Sequence, residues 1–328
     1  MTEPLEGAAP CEARPAAEYV ERIVKETYTL ADLQSWDRTR EKSASPIRLG
    51  VLGDPIALSL SPRMQNAALR AGKIKMQYGA FQIASSELPE ALRLLRELDF
   101  TGVNLTIPHK ISAVPFLDEL DEHARAVGAV NTIKIQNGKF HGFNTDGKGF
   151  SRAIREEFSV DLRDLRVLVL GAGGAARAIA WQCAKENCER LVIANRDFEK
   201  AKQLSDELRH FFTGARVLGP VARLQAIAWE EAALRFQIAN LDLVVNATSL
   251  GLSRADAAPI PARLLAPHLM IYDTIYSNGP TAFVSAATEA GARAANGLSM
   301  LLHQGALAFE IWFDRAAPLD AMRKALSP

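Results

Sequence analysis

Residues 165–186, LRVLVLGAGGAARAIAWQCAKE, constrain the fold more than any other stretch: four apolar strand residues, VLVL, run directly into a glycine-rich turn that opens a helix. In that setting GAGGAA at 171–176 fits the dinucleotide pattern of a parallel α/β sheet. Gly171 and Gly173 let backbone approach a pyrophosphate, Ala176 keeps helix and strand tight, and the helix start offers unpaired N–H groups to phosphate. A tight βα turn without ligand explains these small residues less well. The next strand, RLVIAN, ends on Asn195, where a protein selecting NAD normally carries Asp or Glu about 20 residues after the turn. Arg196 follows, and Lys200 lies one helical turn further. Two cations beside a polar residue suit a 2′-phosphate and favour NADP. Asp197 would repel that phosphate or bond a free ribose hydroxyl, so NAD stays open, as does a reading of Arg196 and Lys200 as solvated surface charges.

The first half obeys the same α/β logic. IRLGVLG at 47–53 reads as a strand; Ser61 before Pro62 reads as a capping hydroxyl opening the helix RMQNAALRAG. Strand YGAFQI, helix ELPEALRLLREL and strand FTGVNLTI follow, and this β-α-β-α-β order implies a parallel sheet with helices on its faces. AVNTIKIQNGKFHGFNT is two alternating runs about Asn-Gly, a hairpin signal. The second half adds helix DFEKAKQLSDELRHF, strands LDLVVNAT at 241–248 and HLMIYDTIY at 268–276, and a long helix SMLLHQGALAFEIWF. Residues 1–17, rich in Ala, Pro and Glu, read as a mobile arm. Val20, Ile23, Val24 and Thr27 recur at helical spacing, Leu30, Leu33 and Trp36 are expected to pack on something, and Asp37–Ser45 reads as a polar linker.

Composition narrows the function. Lys plus Arg and Asp plus Glu balance at 38 each, so no long-range field draws nucleic acid or an anionic membrane, and any anion must be held by local groups. Cys11, Cys183 and Cys188 form neither a CxxC nor a ligand-spaced set with His, which argues against disulfides and zinc and fits a reducing cytosol. The N-terminus lacks a signal-peptide pattern and no apolar run approaches the ~20 residues that span a bilayer, so a cytoplasmic protein is expected. The six His show no metal-ligand spacing and read mostly as surface or turn residues.

Four polar clusters stand in apolar surroundings: SLS at 59–61, NLT at 104–106 with Lys110, VNT at 130–132 and NTD at 144–146. Each lies where a strand should end or a helix begin, and ligands of open α/β sheets bind outside the carboxyl ends of strands, so the four could converge on one cleft. Capping or turn chemistry explains any one of them, Ser61 as an N-cap and Asn131 as a turn former, but strains to explain four.

In order along the chain, SLSP, NLTIPHK, AVNT, NTDG, GAGGAAR, NATSLG and HQGALAFE resemble the shikimate dehydrogenase family over roughly residues 46–326. The resemblance implies NADPH-dependent, reversible reduction of 3-dehydroshikimate to shikimate in aromatic amino-acid biosynthesis, with Lys110 and Asp146 as the catalytic pair. It implies that Ser59 and Ser61 grip the substrate carboxylate, that Asn104, Thr106, Asn131 and Gln304 hold ring hydroxyls, and that Tyr276 lies beside them. Gly171, Gly173, Gly174, Ala175, Asn195, Arg196, Lys200 and Thr248 are the expected cofactor contacts. Two α/β domains are expected: a substrate domain, 46–145 with 298–328, whose sheet is mainly parallel, and a Rossmann-type NADP domain, 146–297, after a partly disordered extension, 1–45. The partner is a small-molecule substrate, with no nucleic acid and no membrane, in a monomer or homodimer. The chemistry supports these residue types independently. A ketone receiving hydride becomes an alkoxide that needs a proton donor; a Lys can give its proton up, whereas guanidinium stays protonated. Two departures stand out: Leu58 where His is common, and NRD where NADP-selective members read NRT. A quinate/shikimate dehydrogenase using NAD is the alternative enzyme, and a non-catalytic ligand-sensing relative the alternative of another class; retention of Lys110 and Asp146 weighs against the latter.

Overall fold

The structure, a computed structural model, describes residues 27–37, 45–213, 222–253, 256–276 and 279–327. The expected N-terminal arm, the helical spacing of Val20, Ile23 and Val24, Cys11 and most of the expected linker, 38–44, lie outside the described residues.

Two sheets organise the chain. The first contains β1 (Tyr28–Thr29), β2 (Ile47–Gly53), β3 (Gln77–Gln82), β4 (Gly102–Leu105), β5 (Glu119–Leu120), β6 (Thr132–Gln136) and β7 (Lys139–Phe143), in the order β1-β3-β2-β4-β6-β7-β5. The expected βαβαβ unit forms its parallel part, with β2 between β3 and β4. Among the described residues the antiparallel pairs are β4–β6 and β6–β7. The β6–β7 hairpin turns at Asn137 and Gly138, both at positive φ (52° and 71°), the conformation for which Asn-Gly is suited. The second sheet contains β8 (Arg166–Leu170), β9 (Arg190–Asn195), β10 (Leu224–Ala228), β11 (Leu243–Asn246), β12 (Met270–Asp273) and β13 (Arg293–Ala295). Its described pairs are all parallel, in the order β10-β9-β8-β11-β12-β13, so the winding reverses between β8 and β11. That is the doubly wound dinucleotide topology, with its crevice outside the carboxyl ends of β8 and β11. The VLVL of β8 is buried throughout, as a strand covered on both faces must be.

Two long helices join the halves. Residues Asp146–Phe158 follow β7 and bury Phe150 and Ile154 in the core of the six-stranded half. Residues Leu298–Phe313 pack Met300 in that same core but Leu302 and Phe309 in the core of the seven-stranded half, where Trp312 Nε1 donates to Ile133 O at 3.0 Å. The expected apolar face of this helix is therefore real, and it serves two cores. Gly149 and Gly147 allow close helix packing: a Cβ at Gly149 would sit 2.8 Å from the backbone N of Gln304, and one at Gly147 2.9 Å from Ala178 O.

Leu33 and Trp36 are buried with Tyr28, Phe81 and Phe100, so the expected packing of this N-terminal stretch is onto the β3 edge of the first sheet. Ser61 differs from expectation. The helix Ser61–Ala71 begins with Ser61 itself, Leu60 stands at the N-cap, and no side-chain cap bond forms. The Ser61 N–H instead reaches Ser59 Oγ at 3.3 Å, so the hydroxyl one position before the cap does the accepting.

Candidate functional site

The four polar clusters meet because of strand direction. β2, β4 and β7 run parallel, so SLS, the Thr106–Lys110 turn and NTD leave the same edge of the first sheet; β6 runs the other way and begins there, bringing VNT to that edge. Lys110 Nζ donates to Asp146 Oδ2 at 2.6 Å, with side chains only 14% and 3% exposed. Asp146 lies at the first position of its helix, where a carboxylate also interacts favourably with the helix dipole. Its other oxygen, Oδ1, accepts from Asn131 Nδ2 at 2.9 Å, and its backbone N–H donates to Asn144 Oδ1 at 3.1 Å. The backbone of Lys110 is fixed as well, its carbonyl accepting from the Val130 N–H at 2.7 Å.

Asn131, buried, is the hub and not a turn former. Its Nδ2 also donates to Thr145 Oγ1 at 2.8 Å and lies 3.2 Å from Gln304 Oε1, while its Oδ1 accepts from the Thr145 N–H at 2.8 Å and from Thr132 Oγ1 at 3.0 Å. Asn104 Nδ2 donates to Asn131 O and to Thr132 Oγ1, each at 3.0 Å, and its Oδ1 accepts from the hydroxyl of Tyr78 at 2.8 Å. Sequence reasoning missed Tyr78. Its ring is buried among apolar side chains, and burial raises its pKa well above the usual value, so it stays a neutral donor. A lone Tyr inside an apolar strand was the available signal, and it reads the same as any core aromatic. Tyr276, just beyond the end of β12, hydrogen-bonds to the side chain of Ser59 and to the Leu60 backbone; burial raises its pKa against those bonds. Ser59, Thr106, Lys110 and Gln304 remain partly exposed, whereas Ser61, Asn104, Asn131 and Asp146 are buried.

The glycine-rich turn faces this edge. Gly171 sits at φ 113°, a region favouring glycine, and a Cβ there would meet Ala247 O at 2.9 Å. A Cβ at Gly173 would meet nothing within 4 Å, which leaves the turn open to a ligand at the start of helix Gly174–Lys185. Gly174 touches the seven-stranded half directly, with a Cβ there only 2.7 Å from Lys110 Cβ. Thr248 Oγ1 donates to Asn246 Oδ1 at 2.7 Å beside the turn, and Asn246 Nδ2 donates to the buried Asp273 at 2.8 Å, a strand-end network that spacing did not reveal. Past β9, Asn195 Nδ2 donates to Asp197 O at 2.9 Å, and Lys200 Nζ lies 3.6 Å from Asp197 Oδ2. Arg196 is exposed beside them. An open turn, a helix start and two cations at the next strand end fit a dinucleotide carrying an extra phosphate.

Three imidazoles correct the surface-or-turn expectation. His109, His123 and His303 are buried. His109 turns away from its neighbour Lys110 and bonds Ile83 O at 2.8 Å, and His303 bonds Glu156 Oε2 at 2.8 Å behind Gln304. Cys183 and Cys188 are free thiols in the core, where burial raises both pKa values. Among the described residues no His, Cys, Asp and Glu group could hold a metal ion, and no helix is long and apolar enough to cross a membrane.

Known proteins resemble this chain in sequence and fold. The shikimate dehydrogenase substrate binding domain matches residues 51–133, the shikimate/quinate 5-dehydrogenase family residues 152–250, and the shikimate 5′-dehydrogenase C-terminal domain residues 297–326. The shikimate dehydrogenase (NADP(+)) of Methanopyrus kandleri is 39% identical over 280 residues, 85% of this chain and 94% of that protein. The crystal structure of shikimate 5-dehydrogenase from Thermus thermophilus in complex with NADP(H) and shikimate aligns with a TM-score of 0.73 at 35% identity, covering 85% of this chain and 98% of that one. The Listeria monocytogenes enzyme, solved with shikimate and NAD, aligns with a TM-score of 0.73 at 31% identity over 86% of this chain and 96% of that one.

Proposed function

The chain belongs to the shikimate dehydrogenase family, and we propose that Lys110 and Asp146 carry its NADP-dependent interconversion of 3-dehydroshikimate and shikimate. The observation that carries this reading is the 2.6 Å pair of Lys110 and Asp146, held nearly dry at a sheet edge that faces the dinucleotide turn. Bound NADPH supplies the hydride. Lys110 Nζ gives its proton to the alkoxide oxygen forming on the substrate ring, and Asp146 keeps the amine directed until then. In the oxidative direction the same amine receives the proton.

The remaining residues sort by what they still have to offer. Ser59 and Ser61 hold the substrate carboxylate, with Tyr276 setting the direction of the Ser59 hydroxyl; charge-assisted bonds of this kind contribute about 1.5–3 kcal/mol each. Thr106 and Gln304 meet ring hydroxyls from partly exposed positions. Asn104 keeps one carbonyl lone pair for a hydroxyl, while Asn131 meets one by giving up its long contact to Gln304. In this reading residues 46–145 with 298–328 form the substrate domain and 146–297 the NADP domain, with Gly171, Gly173, Gly174, Ala175 and Thr248 around the pyrophosphate side and Asn195, Arg196 and Lys200 at the 2′-phosphate. The ion pair of Lys200 with Asp197 lowers the net positive charge there, which favours retention of some NAD activity. Steady-state kinetics with shikimate and quinate against NADP and NAD test the assignment. Highest kcat/KM with shikimate and NADP is expected; highest kcat/KM with quinate and NAD overturns it, and binding of shikimate without turnover points to the ligand-sensing alternative.

A further inference from the structure

We propose that Arg177 is a positioning residue that registers the dinucleotide helix against the segment carrying Lys110. Arg177 lies one turn into helix Gly174–Lys185, in the six-stranded half, yet its Nε donates to Val127 O of the seven-stranded half at 2.8 Å. Its Nη2 donates to the carboxylate of Glu207, so the guanidinium is held from both sides, and the side chain is only 16% exposed. Val127 ends the helix Glu122–Val127 and precedes Gly128, which sits at φ 68°. A Cβ at Gly128 would lie 3.2 Å from Arg177 Nη2, so glycine serves both the backbone conformation and the approach of the guanidinium. Two residues on, the Val130 N–H donates to Lys110 O at 2.7 Å. Gly174, at the start of the same helix, closes the ring against the Lys110 stem, with room for hydrogen but not for a methyl group.

Nothing in this circuit touches the reacting atoms through Arg177 itself. Its effect passes through the Val127–Val130 segment to the Lys110 backbone, so loss of Arg177 displaces the ammonium relative to both Asp146 and the ring oxygen. The inference rests on Lys110 as proton donor, and the experiment separates the two. In the full chain with saturating shikimate and NADP, Arg177→Met is expected to lower kcat about ten- to a hundredfold and to move the pH limb of kcat, with the NADPH Kd from fluorescence titration within about threefold. Arg177→Lys, which retains one donor toward Val127 O, is expected to recover part of kcat. On a Lys110→Ala background Arg177→Met should cost little more, because the group it positions is gone. An unchanged kcat in Arg177→Met, a loss that appears only in the NADPH Kd, or full additivity with Lys110→Ala each overturns the proposal. Wild-type turnover in Lys110→Ala alone would instead sink the underlying assignment of the proton donor. Should Arg177→Met not fold, Glu207→Gln loosens the same guanidinium from its exposed side; a smaller fall in kcat with the same shift in the pH limb supports the proposal, and the absence of both changes overturns it.

Discussion

Replacing Lys110 by Arg and by Met separates its chemical role from its structural one. Both substitutions remove an amine that can surrender a proton, and proton transfer by a placed group is worth about 10²–10⁴ in rate, or about 3–5 kcal/mol of barrier. They differ in what they do to Asp146, whose side chain is 3% exposed and holds Lys110 Nζ at 2.6 Å on one oxygen and Asn131 Nδ2 at 2.9 Å on the other. Met leaves that carboxylate with one neutral donor, and an uncompensated buried charge of this kind costs roughly 3–5 kcal/mol, less whatever is recovered when the group takes up a proton. Arg restores a cation and can keep the pair, so most of the stability should survive. The expected pattern is therefore two variants with kcat lowered by about two to four orders of magnitude, of which only Lys110→Met shows a large fall in unfolding free energy. Initial rates across pH, together with urea unfolding followed by fluorescence, give both quantities. Turnover of Lys110→Arg close to that of the unaltered enzyme would refute the assignment, because a guanidinium cannot act as the acid. Equal stability of all three proteins would refute the claim that the ammonium compensates Asp146.

Other consequences follow from burial and packing. Burial, reinforced by Lys185 and Lys148, pushes the His123 pKa from 6.5 down to about 4; the unfolded chain therefore binds the extra proton first, and the contribution is intact above pH ~6.5 and lost as pH falls toward ~4, by at most roughly 3 kcal/mol. His123→Phe should flatten the melting temperature between those pH values, and an unchanged acid slope would contradict this. Gly149→Ala places a methyl group against the rigid backbone of Gln304 and should destabilise by about 1–3 kcal/mol while lowering kcat, since Asp146 and Gln304 sit on the two helices forced apart; a fully active, equally stable variant would remove the argument. Asp197→Thr frees Lys200 from its 3.6 Å partner and should raise the NADP-to-NAD ratio of kcat/KM by about fivefold, on the scale of one exposed charge interaction; a lower ratio would reverse the reading of Asp197.

Local signals carried the topology well wherever they were strong. The apolar run before GAGGAA, the Asn-Gly hairpin and the β-α-β-α-β order of the first half each have one physical solution, and those elements formed where expected. Weak signals failed for equally physical reasons. β10 and β13 have little burial of their own and exist because parallel neighbours offer them partners. His109 read as a surface or turn residue, but in the short helix His109–Ser112 adjacent side chains point about 100° apart, so Lys110 faces Asp146 while His109 enters the core. Ser61 carried the N-cap signature, yet Ser59 supplies the accepting oxygen because the chain begins its helical turn one residue early.

Spacing names the members of the candidate site but not how they are held, and the difference lies in Asn131. As residue types, Asn104, Asn131, Asp146 and Gln304 could each bind a hydroxyl. In three dimensions β6, the one reversed strand of that sheet among the described residues, starts where β4 and β7 end, so one side chain at its threshold can donate to Thr145 and Asp146 and lie beside Gln304 while its carbonyl takes the Thr145 N–H. The Asp146 carboxylate can only accept and the Thr145 N–H can only donate, so those two contacts fix which way the Asn131 amide faces, and a flipped amide would break both. The orientation of Asp146 is thereby fixed before any ligand arrives, and with it the direction from which Lys110 can approach. The same reversal that makes the first sheet mixed is thus what aims the ion pair at the dinucleotide turn: a strand running parallel at that position would begin at the opposite edge and leave the carboxylate with the lysine alone to orient it.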